Sequence, residues 1–303
     1  MKHKTIKQYT TAAALLAGAT WAMADASIYG KANVSFQIAD ENDETATEVV
    51  SNASRIGLKG SEELDGGLKA IYQFEFQVAV DDGDNGGETF SQRNIFVGLQ
   101  GNMGTVKVGH FDTPFKSAQN KIDLFNDLEG DINNTITYND NRESNTVSYS
   151  SPNGPVGVTV AYISSEDEDV DNGISAAVNF STDDLYLAVA VDQNVEAEGT
   201  EAVRGIIQYT LGDLQLGGLV EQSDDGVETT DALLVSAQYK IDSWALKAQV
   251  GTSDIREEGG ETFSLGADYT LAKSVKLFGY HTALESDQGT DNSYTGVGIE
   301  YKF

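Results

Sequence analysis

The feature that most constrains this chain is an alternation of apolar and polar residues with a period of two, repeated in short segments along nearly its whole length. Residues 27–38 read SIYGKANVSFQI, with Ile28, Ala32, Val34, Phe36 and Ile38 on one parity and Tyr29, Lys31, Asn33, Ser35 and Gln37 on the other. A β-strand turns successive side chains to opposite faces, so this period specifies strands with one apolar and one polar face. In 68–78, Ala70, Tyr72, Phe74, Phe76 and Val78 alternate with Lys69, Ile71, Gln73, Glu75 and Gln77. The pattern is strong again in 185–192, 214–222, 233–240, 244–251, 262–269 and 294–303. It is weaker in 53–60, 93–100, 105–110, 145–151, 156–163, 174–180, 203–209 and 274–281. Residues 93–100 leave the lumen-facing parity open, because Ile95 and Val97 share the parity of Arg93.

These segments predict sixteen strands. Short turns at 61–67, 101–104, 152–155, 181–184, 211–213, 241–243 and 271–273 alternate with longer acidic loops at 39–52, 79–89, 111–144, 164–173, 193–202, 223–231, 252–261 and 282–293. An up-and-down barrel with short turns on one rim and long loops on the other produces this alternation. An apolar band about 25 Å tall, crossed by strands tilted about 40° and rising about 3.3 Å per residue, takes about 10 residues per strand. A soluble β-sandwich also alternates, but a chain of 303 residues would then divide into two domains, and no linker is visible. Mean hydropathy is −0.31, as suits strands that are apolar only at every second position. The predicted fold is an all-β transmembrane antiparallel up-and-down barrel of sixteen strands, whose third long connection, at 111–144, far exceeds the others.

Residues 1–24 are set apart. Lys2, Lys4 and Lys7 precede a short apolar run at 11–22, and Ala22-Met23-Ala24 is an A-x-A cleavage pattern. The run is shorter than the roughly 20 residues of a spanning helix. The reading is a signal peptide cleaved after Ala24, followed by one barrel domain over 25–303. The whole sequence carries a formal charge of −29, and loss of the leader's lysines makes the remainder more acidic still. Such a charge argues against nucleic acid as a partner, because phosphate contacts need the opposite sign. Disorder is countered by 13 Tyr and 12 Phe. The absence of Cys removes disulfides, thiolate metal sites and thiol nucleophiles.

The sequence offers little for catalysis. Outside the leader only His110 and His281 are available as imidazole bases, and neither lies in an H-E-x-x-H or G-x-S-x-G context. The acidic runs Glu166-Asp167-Glu168-Asp169 with Asp171, and Asp81-Asp82 with Asp84 and Glu88, present hard oxygens suited to Ca²⁺ or Mg²⁺. Neither follows an EF-hand, and the favoured reading is a solvated, charge-rich loop. No enzyme, no cofactor and no dedicated metal site is expected.

Several motifs resemble the general-diffusion porins of Gram-negative bacteria. They are Ile28-Tyr29-Gly30-Lys31, Ser54-Arg55-Ile56-Gly57-Leu58-Lys59-Gly60-Ser61-Glu62, Gln92-Arg93-Asn94-Ile95-Phe96-Val97-Gly98-Leu99, Gly104-Thr105-Val106-Lys107-Val108-Gly109-His110, and RESNTVSYSSP at 142–152. The resemblance extends to the end of the chain, where Val297, Ile299, Tyr301 and Phe303 share one parity and the last residue is aromatic, similar to the terminal strand of outer-membrane barrels. It implies a trimeric channel in the outer membrane, in contact with lipid and lipopolysaccharide, through which small hydrophilic solutes and ions diffuse. It also implies a ladder of basic side chains on one wall of the constriction, to which Lys31, Arg55, Arg93 and Arg142 correspond, faced by carboxylates of an inward third loop. Here that loop is 111–144, with Asp112, Asp123, Asp127, Glu129 and Asp131 as candidate acids and Ile122, Leu124, Phe125 and Leu128 as anchors. The loop lacks the Pro-Glu-Phe-Gly-Gly stretch of enteric members. The acidic loops further suggest a preference for cations, and divalent cations held between the outer loops and lipopolysaccharide. The alternative reading is an outer-membrane adhesin or receptor acting through those loops.

Overall fold

The computed structural model describes residues 26–42, 44–81 and 89–303. The expected leader at 1–24 and most of the acidic run at 81–88 lie outside the described residues. The strands are β1 (Ser27–Glu41), β2 (Glu44–Ser51), β3 (Arg55–Glu63), β4 (Lys69–Val78), β5 (Phe90–Gly101), β6 (Gly104–Asp112), β7 (Arg142–Ser150), β8 (Val156–Ile163) and β9 (Gly173–Ser181). They continue with β10 (Leu185–Gln193), β11 (Glu201–Leu211), β12 (Leu214–Asp224), β13 (Thr229–Ile241), β14 (Trp244–Ser253), β15 (Gly260–Ala272), β16 (Val275–Glu285) and β17 (Asp291–Lys302). Among the described residues these form one antiparallel sheet in which consecutive strands pair, except that β2 and β3 both pair with β1, and β1 pairs with β17 to close it.

Seventeen strands make sixteen barrel positions, because β2 and β3 both pair with β1 and occupy one position between them. The break at Asn52-Ala53-Ser54 has a local cause. Ala53 takes φ 46°, and the Ser54 hydroxyl accepts from the Asn33 amide at 2.9 Å and donates to the Asn33 carbonyl at 3.0 Å, standing in for the interrupted ladder. Residues 39–52, expected as a long loop, are therefore mostly strand, paired from Val34↔Ser51 to Glu41↔Glu44. The acidic residues in that stretch masked an alternation that continues to the hairpin tip. The other segments all fall on strands, several of which run a few residues further toward the loops.

The ambiguous parity at Arg93 is resolved by a bulge. Phe74 pairs with Ile95 and Phe76 with Gln92, so Arg93 and Asn94 together oppose Glu75. A bulge adds one residue and shifts the alternation by one. Arg93 thus meets Glu75 in the lumen while Val97 and Leu99 face outward, 57 % and 49 % exposed.

Outward positions carry the apolar band, including Val34, Phe36, Val189, Ile207, Leu233 and Ile299, whereas Lys31, Asn33, Ser35 and Gln37 of β1 are buried within. Beside the short turns, Tyr209, Tyr239, Trp244 and Tyr301 stand outward as an aromatic girdle, with the Trp244 and Tyr269 rings 4.7 Å apart. Such rings settle at the membrane–water boundary. At the seam, Gly30 donates to the Phe303 carbonyl at 2.9 Å and Phe303 returns a bond at 3.1 Å, so the chain termini lie on the turn side.

Inside, aromatic rings lie across facing glycines. Phe278 pairs with Gly298, and a Cβ on Gly298 would come within 2.3 Å of that ring and 2.5 Å of the Val34 carbonyl. Here backbone blocks one side and an aromatic the other, so no easy shift makes room. Gly298→Val should destabilise the barrel by about 1–3 kcal/mol through overpacking. A lowered denaturant midpoint of detergent-refolded protein, followed by the heat-modifiable gel shift, checks this.

Candidate functional site

The segment between β6 and β7 turns into the barrel. It contains two short helices, α1 (Pro114–Ala118), capped by Thr113, and α2 (Ile132–Thr135), capped by Asp131. Its Phe115, Ile122, Ile132 and Ile136 are fully buried against Ala188, Ala190, Ala202, Ile206, Leu219, Ala232 and Leu234 of the wall. Phe125 and Leu128 pack near Ala39, Phe278, Tyr280 and Tyr294. Wall glycines provide the seats: a Cβ on Gly251 would lie 2.4 Å from Ile136, and one on Gly217 would lie 2.9 Å from Ile122. Wall side chains then satisfy the loop's backbone. Ser236 donates to the Ile122 carbonyl (2.6 Å), Ser253 to Ile136 (2.5 Å), Lys247 to Leu124 (3.1 Å) and Gln249 to Gly130 (2.9 Å). The returning arm is clasped by Arg204, fully buried, whose guanidinium pairs with Glu221 at 2.7 Å and Asp140 at 3.7 Å and lies 4.3 Å from the Phe115 ring. Glu221 also accepts from Thr137 at 2.5 Å and Asn139 at 2.9 Å.

On the opposite wall, Lys31 and Arg55 converge on one carboxylate oxygen of Asp127, Arg55 at 2.6 Å. Arg93 donates to Glu75 at 2.9 Å and to Gln77 at 3.2 Å. Arg142 meets Asp112 at 2.7 Å, and Lys116 meets Asp140 at 2.8 Å. All four basic residues singled out from sequence therefore lie along the lumen, but their partners differ from the expectation. Of the five candidate acids, Asp127 alone joins the loop to Lys31 and Arg55, and Asp112 is on β6 rather than within the loop. Glu75, the partner of Arg93, is a wall residue of β4 that sequence reasoning passed over.

The remaining acids hold the loop together. Asp123 accepts from the backbone of Phe125 and Ile132 and from Gln249. Asp131 accepts from the backbone of Asp127 (2.7 Å) and Asn133 (2.8 Å) and from Asn126 (3.2 Å). Burial and the neighbouring Asp131 push Asp123 well above the usual carboxylate range, and burial with Asp140 and Asp127 nearby pushes Asp131 up to about 6 despite its backbone donors. Glu129 accepts from Gln37 at 3.0 Å, and burial together with Glu48 and Glu41 raises it. Burial also opposes ionisation of Asp127, but Lys31 and Arg55 outweigh it and hold that carboxyl below its ordinary value.

The loop separates two polar spaces. On the loop-bearing side a cavity of about 560 Å³ is lined by Arg55, Arg93, Arg142, Lys116, Asp127 and Glu129 among others. On the turn-bearing side a cavity of about 600 Å³ is lined by Lys121, Lys240, Lys247, Lys276, Lys302 and Asp268 among others. Asn120, Asn126 and Leu128 border both. A closed wall in lipid with a narrowed, water-lined interior is the geometry of a passive channel.

The sequence profile of the family described as Gram-negative porin matches residues 10–303. The chain belongs to this family. It is 28 % identical to the major outer membrane protein P.IB of Neisseria meningitidis serogroup B, over 93 % of this chain and 95 % of that protein. It is 26 % identical to outer membrane porin protein 32 of Delftia acidovorans, over 97 % and 94 %. Among solved structures, the anion-selective porin from Comamonas acidovorans superposes with a TM-score of 0.75 at 22 % identity, covering 92 % of this chain and 99 % of that one. OmpF of Salmonella typhi, solved with daunomycin, gives 0.74 at 16 % over 92 % and 97 %. The protein is thus a passive outer-membrane channel and not an enzyme.

In this porin the two histidines among the described residues point outward from the wall, His110 bonded to Ser144 and His281 to Thr295, each at 2.9 Å, and neither reaches the lumen. Among the described residues no three or more His, Cys, Asp or Glu gather as a metal site. In the loop at 164–173 the Asp167 carboxylate is spent on the Asp169 amide at 3.0 Å. The loop's seat was missed although it left a signal. Wall segments such as Ala232-Leu233-Leu234-Val235 are apolar on both parities, which a strand between lipid and water has no reason to be.

The raised Asp131 sets a pH dependence. An acid whose folded value lies above its unfolded value takes up a proton first in the folded state, so docking strengthens as pH falls through about 6 and levels off below about 3.8. Hydrogen exchange at the amides of Asp127 and Asn133 should slow between pH 7.5 and 5, and Asp131→Asn should flatten that dependence. Equal slopes in the two proteins, after correction for intrinsic exchange, would contradict it.

Proposed function

We propose that this porin passes small hydrophilic solutes and ions with a preference for cations, set where Lys31, Arg55, Arg93 and Arg142 meet the inward loop. The observation that carries the preference is the pairing of the ladder. All four of its cations lie in ion pairs, Arg93 with Glu75, Arg142 with Asp112, and Lys31 and Arg55 sharing Asp127 with Glu300 4.0 Å from Lys31, whereas Glu129 shares Gln37 with Glu48 and has no cation at ion-pair distance among the described residues. A paired cation attracts little free anion, and the surplus carboxylates attract mobile cations. The acidic outer loops reinforce this near the mouth, within a reach of about 8 Å at physiological salt. The Comamonas porin is anion-selective, so the shared fold does not determine the sign.

The remaining parts of the reading follow from family and composition. OmpT of Vibrio cholerae, at 17 % identity and a TM-score of 0.67, has been solved in a trimer form. We propose a homotrimer for this chain too, delivered by a signal peptide cleaved after Ala24. The outer loops would face lipopolysaccharide and attract divalent cations as diffuse counter-ions.

Reversal potentials in a salt gradient, recorded from refolded protein in planar bilayers, test the preference. Wild type should favour cations at 0.1 M and less so at 1 M. Neutralising Arg55 and Arg93 together should raise cation preference several-fold with the barrel still folded, since lumen substitutions tune selectivity more than stability. Asp127→Asn should move it toward anions; Asn tolerates the left-handed φ of 67° found there. Removing the middle of the loop should enlarge conductance. Anion preference in wild type at low salt, or charge variants that leave selectivity untouched, would refute the reading.

A further inference from the structure

The two spaces divided by the loop carry opposite surplus charge. On the loop side each basic group that lines the space among the described residues is held by a carboxylate: Arg55 by Asp127, which it shares with Lys31, Arg93 by Glu75, Arg142 by Asp112 and Lys116 by Asp140. What is left over there is acidic, with Glu129 beside Glu48 and Glu41, and Glu143 beside Glu196. On the turn side the balance reverses. Asp268 is shared by Lys247 at 3.0 Å and Lys276 at 3.1 Å, and Glu300 by Lys302 at 2.9 Å, Lys276 at 3.8 Å and Lys31 at 4.0 Å. Lys121 and Lys240 line the same space, exposed and in no ion pair among the described residues. Asp123 borders it too, but its two carboxylate oxygens are turned into the loop, onto the amides of Phe125 and Ile132.

We propose that the lumen is a two-zone channel, an acidic cation-holding mouth in series with a lysine-lined inner vestibule that holds small anions such as carboxylates and phosphate. The inference rests on the channel reading but not on its net selectivity. In such a series the acidic zone conducts mainly by cations and the basic zone mainly by anions. With the outer side positive, cations cross the mouth inward while anions cross the vestibule outward, so both accumulate at the loop and conductance rises. With the outer side negative, both drain away from the loop and conductance falls. The channel is therefore a current rectifier in a stated direction. Its inner vestibule also keeps small anions near the periplasmic face of the constriction.

Single-channel current–voltage curves in symmetrical KCl test this. The chain has no cysteine, so Asp167→Cys on an outer loop, labelled from one chamber by a membrane-impermeant thiol reagent, gives the orientation of each inserted channel. The current ratio between outer-positive and outer-negative voltage should be roughly 1.5 to 3 at 0.1 M salt, where the Debye length is about 10 Å, and about 1 at 1 M, where it is about 3 Å. Lys121→Gln with Lys240→Gln should bring the low-salt ratio close to 1, and so should Glu48→Gln with Glu129→Gln. Adding phosphate at low salt should reduce wild-type conductance more from the inner chamber than from the outer one, and this difference should vanish in the lysine variant. A ratio of 1 at 0.1 M, a ratio of the opposite sense, or rectification unchanged at 1 M would overturn the proposal. Should a variant not refold, the salt series on wild type decides alone. Failure of the channel reading is separable, since it would show as no conductance.

Discussion

The structure depends on one constraint: in hydrocarbon no water is available to satisfy an open strand edge, so the sheet must close on itself. Pairing of β1 with β17, finished by the reciprocal bonds of Gly30 and Phe303, removes the last edge. Once the wall is closed, each strand residue has two choices, lipid or lumen, and successive residues take them in turn. The polar half of every strand is thereby delivered to one enclosed space. That space is where Lys31, Arg55, Glu75 and Arg93, far apart in sequence, come within a few ångströms of one another and of the loop.

A wall that is polar inside cannot hold a loop by apolar contact, so the strands that seat the loop break the rule the others obey. Along β10 to β13 the inward positions include Ala188, Ala190, Ile206, Leu219, Ala232 and Leu234, set among the loop-binding Arg204, Glu221 and Ser236, with Gly217 leaving room for Ile122. Across the lumen β1 to β5 keep charged and amide side chains inward. The barrel therefore has an apolar wall that fixes the loop and a charged wall that faces it, and their separation creates the narrow passage. Burial of the loop's six large apolar residues, Phe115, Ile122, Phe125, Leu128, Ile132 and Ile136, each removing roughly 1.5–3 kcal/mol of exposed surface energy, is large enough to offset the cost of ordering their side chains.

Sequence revealed most of the wall, because period-two alternation is a local property that tertiary context cannot disguise where lipid and water face opposite sides. It was least informative where locality fails. The end of β1 and all of β2, within residues 39–52, look like loop in sequence because their acidic residues, Glu41, Glu44 and Glu48, occur beyond the apolar band, where a membrane strand is not expected. Arg93 was ambiguous because a bulge against Glu75 depends on a partner strand. The ladder residues were legible by resemblance, but their partners were not, since pairing is decided by how the loop folds. The sequence could supply Asp127, Asp123 and Asp131 only as three similar carboxylates. Position alone makes the first a counter-ion and the other two internal fasteners.

This difference between paired and unpaired charge governs what a permeating ion feels. A cation bound to a carboxylate at 2.6–2.9 Å, as in Arg55 with Asp127 or Arg93 with Glu75, acts from a distance as a dipole, whose potential falls faster than that of a single charge. Close to the wall these dipoles orient a polar solute across the passage. Along the axis they nearly cancel, and the long-range field is left to the charges without partners, the glutamates above the loop and the lysines below it. Salt then acts on the two fields unequally. Contact pairs separated by less than the Debye length keep their transverse field as ionic strength rises, whereas the axial field of separated charges is screened. Transverse sorting of solutes and axial sorting of ions are thus separable properties of one lumen, fixed by which side chains found a partner when the loop docked.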